Sequence, residues 1–148
     1  MLTCSNPSKS NLSHLTPPTN LRIAAKINLD LFVYPSVNGY HPIDSIFASI
    51  GLYDHISIQV SKQPSTIEFT GPYSKNIPAD NTVSKAVRAF DKSLGGRHVA
   101  IQVTKNIPSG AGLGGGSCDA AGVIIGLNQR LGLNLSTMTM QAMGATIG

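Results

Sequence analysis

The stretch KNIPSGAGLGGGSCDAAG, residues 105–122, places five glycines in the seven positions from Gly110 to Gly116. An apolar segment with period two, HVAIQV, precedes it, and a segment with helical character, SCDAAGVIIGLNQRLGL, follows it. Backbone N–H groups at the start of a helix are unpaired and carry the positive end of the helix dipole. Glycines let an anion approach such groups closely. The stretch therefore predicts a phosphate-binding loop between a strand and a helix, rather than a flexible linker.

Three familiar phosphate loops do not fit this stretch. A Walker A loop requires Lys and then Ser or Thr after its last glycine, whereas Ser117 and Cys118 follow here. The dinucleotide pattern GxGxxG is matched from Gly110 to Gly115. However, the acidic residue that this fold expects about 20 positions further on is missing, because that position is Leu135. Protein kinases use the same glycine pattern, but no catalytic-loop motif follows it in this chain.

Upstream of the loop, the segment RIAAKINLDLFV, residues 22–33, predicts the first long strand. Its apolar residues alternate with other residues over the whole length, as in a strand with one buried face. In such a strand, Lys26, Asn28 and Asp30 share the face opposite the Ile/Leu face. This polar face is either a solvated outer surface or the wall of an active site.

Further strands and one helix are predicted between these two segments. A turn at YPSVNGYHP, residues 34–42, leads to two strands at 43–52 and 55–60, joined around Gly51–Asp54. A short strand, STIEFT, follows at 65–70. The pattern then changes to a helical stripe from Val83 to Leu94, capped by Asp80 or Asn81 and ended by two glycines.

Helices dominate the end of the chain. Ser117 is the predicted N-cap of the helix after the glycine loop, and Gly132 is its predicted end. A last helix is predicted from Ser136 onward. Four residues of this region are predicted to pack against the rest of the protein: Leu135, Met138, Ala142 and Met143.

Composition narrows the class of protein. The chain has 148 residues, of which 41% are hydrophobic and 12% charged, as expected of one globular domain. A net charge of +4 suits an anionic ligand without selecting nucleic acid, membrane or phosphate. Cys4 and Cys118 lack CxxC spacing, which favours a reducing compartment over a disulfide or zinc scaffold.

Residues 1–20 are rich in Ser, Asn, Thr and Pro and predict a disordered extension or a targeting segment. We therefore expect a cytoplasmic protein, or a plastid protein if this segment is a transit peptide.

The stretch PSGAGLGGGSCDAA, residues 108–121, resembles the phosphate loop of the GHMP kinase superfamily, Pro-x-Gly-x-Gly-Leu-Gly followed by small residues. AAKINLDLFV at 24–33, NGYH at 38–41 and DNTVSKA at 80–86 also occur in the order typical of one branch. That branch acts in non-mevalonate isoprenoid biosynthesis. The resemblance covers residues 21–148. It implies an α+β domain with a mixed sheet backed by helices, similar in fold to a ribosomal protein domain.

The resemblance also implies an activity and a set of roles. The activity is transfer of a phosphoryl group from ATP, with Mg²⁺, to the 2-hydroxyl of a small-molecule substrate, a cytidine diphosphate-linked methylerythritol. Lys26 would be catalytic, because a fixed ammonium stabilises the developing negative charge. Asn28, Tyr40 and His41 would contact the substrate, and Ser117 would be a ligand of Mg²⁺. The ATP phosphates would be held by Pro108, Ser109, Gly110, Ala111, Gly112, Leu113, Gly114, Gly115, Gly116, Ser117 and Cys118.

Some residues keep alternative interpretations. Tyr40 and His41, taken alone, are equally typical of a turn with exposed rings. Lys105 either adds positive potential beside the loop or is a solvated surface lysine. Cys118 takes the place of the second serine that is usual in the family. A thiol in the first turn of a helix is expected to have a lowered pKa and raised reactivity.

Members of the family continue beyond the position of Gly148 with a short stretch that carries a catalytic aspartate, and then with a second, substrate-binding domain. We therefore expect residues 21–148 to be an ATP-binding N-terminal domain truncated at its C-terminal end. Such a chain should bind nucleotide without transferring phosphate at an enzymatic rate. The alternatives are a non-catalytic nucleotide-binding or regulatory module and an RNA-contacting domain. An aromatic content of 5% and the absence of a Lys/Arg cluster argue against RNA, and no membrane partner is predicted.

Overall fold

The computed structural model describes residues 17–147, in which strand β1 already begins at Thr19. The extension or targeting segment predicted over residues 1–20 therefore lies largely outside the described part. The elements of the described part follow in this order: β1 (Thr19–Val33), β2 (Ile43–Ser61), β3 (Thr66–Thr70), α1 (Thr82–Arg88), α2 (Asp91–Leu94), β4 (His98–Thr104), α3 (Gly115–Leu131) and α4 (Thr137–Ala145).

The four strands form a mixed sheet in the order β1-β2-β4-β3. β1 pairs antiparallel with β2, and β2 pairs antiparallel with β4. β3 pairs parallel with β4, and α1 and α2 form the crossover between them. Helix α3 is the next element after β4 and packs against β1 and β2. This is the predicted α+β arrangement of a mixed sheet backed by helices.

One prediction about the sheet is wrong, because β2 is a single strand of 19 residues rather than two strands joined around Gly51–Asp54. The polar residues in its middle do not form a turn, since Asp54 points into the protein and is fully buried. The irregularity lies in the pairing instead. The register of β1 on β2 shifts between Ala24 and Lys26, and again between Asn28 and Asp30. Such β-bulges bend a strand and redirect its side chains.

Helix α1 begins at a capping box. The side chain of Asn81 accepts a hydrogen bond from the N–H of Ser84 (3.0 Å), and the Ser84 hydroxyl accepts one from the N–H of Asn81 (2.9 Å). Asn81 is therefore the cap, whereas Asp80 forms an ion pair with Arg88. The predicted helix is interrupted, because α1 ends at Arg88 and a short α2 follows. The two glycines after α2 have positive φ and end it, as predicted.

The core lies between the sheet and α3. This helix approaches the sheet closely: a Cβ atom at Gly122 would lie 2.5 Å from Cδ1 of Ile23, and one at Gly126 would lie 2.5 Å from Cδ1 of Ile58. The predicted helical stripe and the apolar face of β4 are buried with them. These residues are Val83, Ala86, Val87, Phe90, Leu94, Val99, Ile101 and Val103.

The end of the chain is helical, as predicted, but part of its predicted packing is wrong. Ser136 caps α4 by accepting a hydrogen bond from the N–H of Thr139 (3.1 Å). Met138 is 80% exposed, and Ala142 is exposed as well. Leu135 and Met143 pack against the core, as predicted, and Met140, three residues before Met143, packs there as well. Within the described residues, no helix combines the length and apolar character needed to span a membrane.

Candidate functional site

The glycine-rich segment forms a loop between the end of β4 and the start of α3. Gly110, Gly112 and Gly114 adopt φ values of 74°, 72° and 72°, a conformation that disfavours residues with a side chain. Gly114 is the N-cap of α3, and no side chain caps the helix. The first N–H groups of α3 therefore have no capping side chain and can bind an anion.

The start of this helix differs from the prediction in one respect. Ser117 is not the N-cap, because the left-handed Gly114 caps the helix three residues earlier than predicted. Ser117 lies in the first turn, with an exposed side chain. Neighbouring side chains leave little room for a larger residue at Gly114 and Gly115. A Cβ atom at Gly114 would lie 3.0 Å from Cγ of Lys26, and one at Gly115 would lie 3.0 Å from Cγ2 of Ile107.

Lys26 lies directly against this loop. Its main-chain N–H donates a hydrogen bond to the carbonyl oxygen of Leu113 (3.0 Å), and its side chain runs along Gly114. The Lys26 ammonium donates to Oδ1 of Asn28 (2.6 Å) and lies 5.5 Å from the centre of the Phe47 ring. The structure thus brings Lys26, Asn28 and the predicted phosphate loop together at one end of α3.

A short chain of hydrogen bonds holds Asn28 in place. Its amide nitrogen donates to the hydroxyl of Ser45 (2.6 Å), which in turn donates to the carbonyl oxygen of Asp30 (2.5 Å). Asp30 takes part in this chain of hydrogen bonds through its main-chain carbonyl oxygen. The register of β1 on β2 shifts between Asn28 and Asp30. Ser45 and Phe47 were not predicted, since only the pairing of β1 with β2 shows that they belong here.

A buried network of three charged residues lies beneath the loop. The ammonium of Lys105 donates to Oδ2 of Asp54 and to Oδ2 of Asp119 (2.5 Å). Lys105 is only 4% exposed, and the two aspartates are 0% and 1% exposed. Lys105 is therefore neither a solvated lysine nor a free positive charge, because two carboxylates balance it. The sequence showed the three residues but not that they meet, since 51 positions separate Asp54 from Lys105.

The environment of this network shifts the pKa values of its members. Burial alone would lower the pKa of Lys105, but its hydrogen bonds with Asp119 and Asp54 outweigh this effect and raise the pKa. Burial raises the pKa of Asp119 to about 6, although Lys105 acts in the opposite direction. Oδ1 of Asp119 has no hydrogen-bond partner among the described residues. An unpaired carboxylate oxygen in the interior favours the protonated form.

Cys118 does not have the lowered pKa that was predicted. Burial raises the pKa of its thiol, and the neighbouring Asp119 raises it further. The charges of Lys26 and Lys105 act in the other direction but do not compensate. The start of a helix is therefore not sufficient here to make the thiol reactive.

Tyr40 and His41 lie in the turn that closes the β1–β2 ribbon. The main chain of Tyr40 pairs with that of Val37 through hydrogen bonds of 2.7 and 3.1 Å, and Tyr40 is 81% exposed. Nδ1 of His41 lies 3.0 Å from the carbonyl oxygen of Tyr34. Lys26 lies about midway along the ribbon, so these two rings belong to its far end.

A cavity of about 450 Å³ opens beside the loop. The loop residues Ser109 and Gly116 line one side of it, next to Lys105 and Asp119. Thr82 joins the walls, because its hydroxyl donates a hydrogen bond to the carbonyl oxygen of Gly116 (2.8 Å). A ligand with a phosphate on the start of α3 has room here for its remaining part. The other wall includes Phe69, Lys75, Asn76, Ile77, Pro78, Asn81 and Val83.

The residues present fit a phosphate ligand and a phosphate-bound Mg²⁺. The loop and the uncapped helix start leave main-chain donors without competing side chains. The described residues contain no cluster of three or more His, Cys, Asp or Glu that would hold a metal by itself. Mg²⁺ bound through nucleotide phosphates and water needs only one or two protein oxygens. The exposed hydroxyl of Ser117, in the first turn of α3, can supply one.

Comparison with known proteins shows which proteins this chain is similar to. Residues 81–148 match the family described as GHMP kinases N terminal domain. A protein of Caldicellulosiruptor saccharolyticus named 4-diphosphocytidyl-2-C-methyl-D-erythritol kinase is 42% identical over 132 residues, which are 86% of this chain and 45% of that protein. A protein of Treponema pallidum with the same name is 35% identical over 131 residues, 87% of this chain and 45% of its own length. The chain thus spans about half the length of the curated relatives that it matches.

The fold also matches about half of a solved structure. The crystal structure of a 4-(cytidine 5'-diphospho)-2C-methyl-D-erythritol kinase superposes with a TM-score of 0.68 at 32% identity. The match covers 88% of this chain and 46% of that one. The predicted fold class and the resemblance to GHMP kinases are both confirmed.

Proposed function

Because the chain carries a GHMP kinase N-terminal domain, we propose that it is the ATP-binding part of a kinase. The substrate of the proposed reaction is 4-diphosphocytidyl-2-C-methyl-D-erythritol, whose 2-hydroxyl receives the γ-phosphate of ATP in isoprenoid synthesis. The names of the relatives support this substrate. The observation that carries the proposal is the contact of Lys26 with a glycine loop at the uncapped start of α3.

In this proposal, residues 108–118 hold the ATP phosphates. The N–H groups at the start of α3 donate to phosphate oxygens, and the helix dipole favours the negative charge. The nucleoside lies in the cavity between the loop and the residues that precede α1. Bound Mg²⁺ would neutralise phosphate charge, with the hydroxyl of Ser117 as one of its ligands.

Lys26 acts on the transferred phosphoryl group. Phosphoryl transfer depends mainly on positioning and on stabilisation of negative charge. The hydrogen bond to Asn28 and the Phe47 ring hold the Lys26 ammonium beside Gly114. There the charge stabilises the oxygens of the transferred group and the hydroxyl that attacks it.

The substrate lies along the same ribbon. Asn28 hydrogen-bonds the part of the substrate near the reacting hydroxyl, and Tyr40 and His41 contact the cytidine end, where an exposed ring can stack on a base. The matched relatives are about twice as long as the matched region. We therefore expect residues 1–148 alone to bind ATP without transferring phosphate at an enzymatic rate.

Isothermal titration calorimetry tests the proposal. The chain is titrated with Mg²⁺ and ATP, with 4-diphosphocytidyl-2-C-methyl-D-erythritol and with a short RNA. We expect ATP to bind and RNA not to bind. If RNA binds and ATP does not, the proposal is overturned in favour of the RNA-contacting alternative. If ATP binds and the cytidine compound does not, a nucleotide-binding module is favoured.

A pair of lysine variants tests the role of Lys26. Lys26→Met should lower the affinity for ATP about tenfold, because a charge-assisted contact to phosphate is lost. Lys62→Met removes an exposed lysine just beyond the end of β2 that is remote from the loop, so ATP affinity should be unchanged. Equal affinities of the two variants would contradict the proposed position of the phosphates.

A further inference from the structure

Asp54 lies where the pairing of β2 with β4 ends. The last pair of this ladder is His55 with Thr104. Beyond it, Oδ1 of Asp54 accepts hydrogen bonds from the N–H groups of Asn106 (2.5 Å) and Ile107 (2.8 Å). The side chain of Asp54 thus replaces a neighbouring strand as the hydrogen-bond acceptor for Asn106 and Ile107. Ile107 directly precedes Pro108, where the glycine loop begins.

The same carboxylate also reaches the other end of the loop. Oδ2 of Asp54 accepts a hydrogen bond from the ammonium of Lys105, which also donates to Asp119 in α3. The ammonium lies 3.4 Å from the position that a Cβ atom of Gly115 would occupy. Asp54 therefore connects the residues that enter the loop with the first turn of the helix that leaves it.

The surroundings make this connection rigid. Asp54 is fully buried, so water does not compete for its oxygens. The side chain of Asn106 adds a second tie, since its Nδ2 donates to the carbonyl oxygen of Tyr53 (2.9 Å). Hydrogen bonds to a buried carboxylate are stronger than those between neutral groups. Their loss would leave two main-chain N–H groups without an acceptor and would leave the Lys105 ammonium with Asp119 alone.

We infer that Asp54 is a positioning residue of the nucleotide site: it fixes residues 105–107 so that the start of α3 faces the phosphates. This inference rests on the proposed nucleotide site. Asp54 does not touch the ligand and acts through Lys105 and the main chain. A residue that only stabilised the fold would affect the global unfolding free energy, but not the order of the loop in the folded protein.

The test compares Asp54→Asn with Ile58→Ala. Asparagine keeps an oxygen acceptor but turns an NH₂ group toward Lys105, so the tie to the ammonium is lost. Ile58 is on the same strand, is buried and packs against Gly126, away from the loop. Amide hydrogen exchange is measured across residues 105–117 without ligand, and the affinity for ATP is measured by calorimetry under conditions where both variants are folded.

We expect exchange in the loop to rise at least about tenfold in Asp54→Asn, and ATP affinity to fall about tenfold. Ile58→Ala should leave both near wild-type values, even where its unfolding midpoint is lower. Wild-type exchange in the loop of Asp54→Asn would overturn the inference. If that variant does not fold, Asp54→Glu decides in its place, because it keeps the charge but moves the acceptor oxygens by one methylene. Increased loop exchange is the expected result, and unchanged exchange is the contrary one. Failure of the wild-type chain to bind ATP would overturn the proposed nucleotide site, while the exchange measurement would still report on the loop.

Discussion

At the scale of single residues, Gly114 has two separate reasons to be glycine. Its φ of 72° is left-handed, and a Cβ atom there would lie 3.0 Å from the side chain of Lys26. Gly132 has only the first reason, because its φ is 63° and a Cβ atom would meet nothing within 4 Å. The two glycines therefore allow backbone strain to be separated from the clash.

We expect Gly114→Ala and Gly132→Ala each to lower the free energy of unfolding by about 1 to 2 kcal/mol, the cost of a left-handed alanine. Only Gly114→Ala should also weaken ATP binding, because the methyl group pushes Lys26 away from the loop. Thermal unfolding and calorimetry measure the two effects. Equal ATP affinity in both variants would show that the position of Lys26 does not matter.

Asp119 predicts a dependence of stability on pH. Its pKa rises from 3.8 to about 6 on folding, so the folded protein binds a proton more tightly than the unfolded chain. Between these values the free energy of unfolding contributed by Asp119 falls as the pH rises, by at most about 1.4 kcal/mol per pH unit. Below pH 3.8 both states are protonated, and this contribution is fully present.

The variant Asp119→Asn does not titrate at this position. The unfolding free energy of the wild type minus that of this variant should therefore decrease as the pH rises from 4 to about 6. Denaturant titrations at several pH values measure it. A difference that stays constant, or that grows with pH, would contradict the raised pKa.

The residues of the site differ in how far the sequence could predict them. The glycine loop and Lys26 could be named as candidates because a local pattern marks each of them, and they lie in contact in the fold. Ser45, Asp54 and Asp119 were not found, because each gains its role from a contact with a distant part of the chain. Cys118 was misjudged for a related reason, since its burial and the charge of Asp119 outweigh the helix dipole.

At the scale of elements, the packing of α3 on the sheet positions the loop. Gly122 lets the helix approach β1, since a Cβ atom there would lie 2.5 Å from Cδ1 of Ile23. We expect Gly122→Ala to lower the free energy of unfolding by about 1 to 3 kcal/mol, as overpacking of a core does. In Gly144→Ala, a Cβ atom meets nothing within 4 Å, and this variant should be stabilised by up to about 1 kcal/mol.

Removing the atom of Ile23 that clashes with the new methyl group should restore part of the lost free energy of unfolding. In the double variant Gly122→Ala with Ile23→Val, Cδ1 of Ile23 is absent. Its total destabilisation should therefore be smaller than the sum of the two single variants, which denaturant unfolding measures. A purely additive result would mean that α3 moves away from the sheet without a loss of stability.

Most elements follow from local patterns, and the exceptions share a cause. Period two predicted β1 and β4, a short strand was predicted at β3, and the caps Asn81 and Ser136 marked the starts of α1 and α4. The sequence did not predict that β2 is one continuous strand, because Gly51–Asp54 has the composition of a turn. Only its pairing with β1 and β4, and the buried donors that Asp54 accepts from, keep this segment extended. The β-bulges of β1 likewise depend on its partner strand.

At the scale of the whole molecule, the far end of the β1–β2 ribbon forms an apolar patch. Its large side chains are between 49% and 81% exposed, and clustered exposed apolar side chains often mark an interaction site. We call it the ribbon patch. Its members are Leu29, Leu31, Phe32, Val33, Tyr34, Val37, Tyr40, Ile43, Ile46 and Phe47.

We expect the chain to self-associate through the ribbon patch. The double variant Phe32→Ser with Ile46→Thr should reduce association, as measured by sedimentation or light scattering at increasing concentration. Met138→Ser removes an exposed apolar side chain outside the patch, and association should not change. Equal association of both variants would show that the patch is not responsible.

The supports of the glycine loop come from three different elements. Lys26 contributes from β1, Asp54 from β2 and Asp119 from α3. A synthetic peptide of residues 105–122 would contain all the glycines and still lack two of these three groups. Grafting the loop onto another protein would require those positions to be transplanted with it. A search for this glycine pattern alone would therefore also find loops that have no scaffold to hold them.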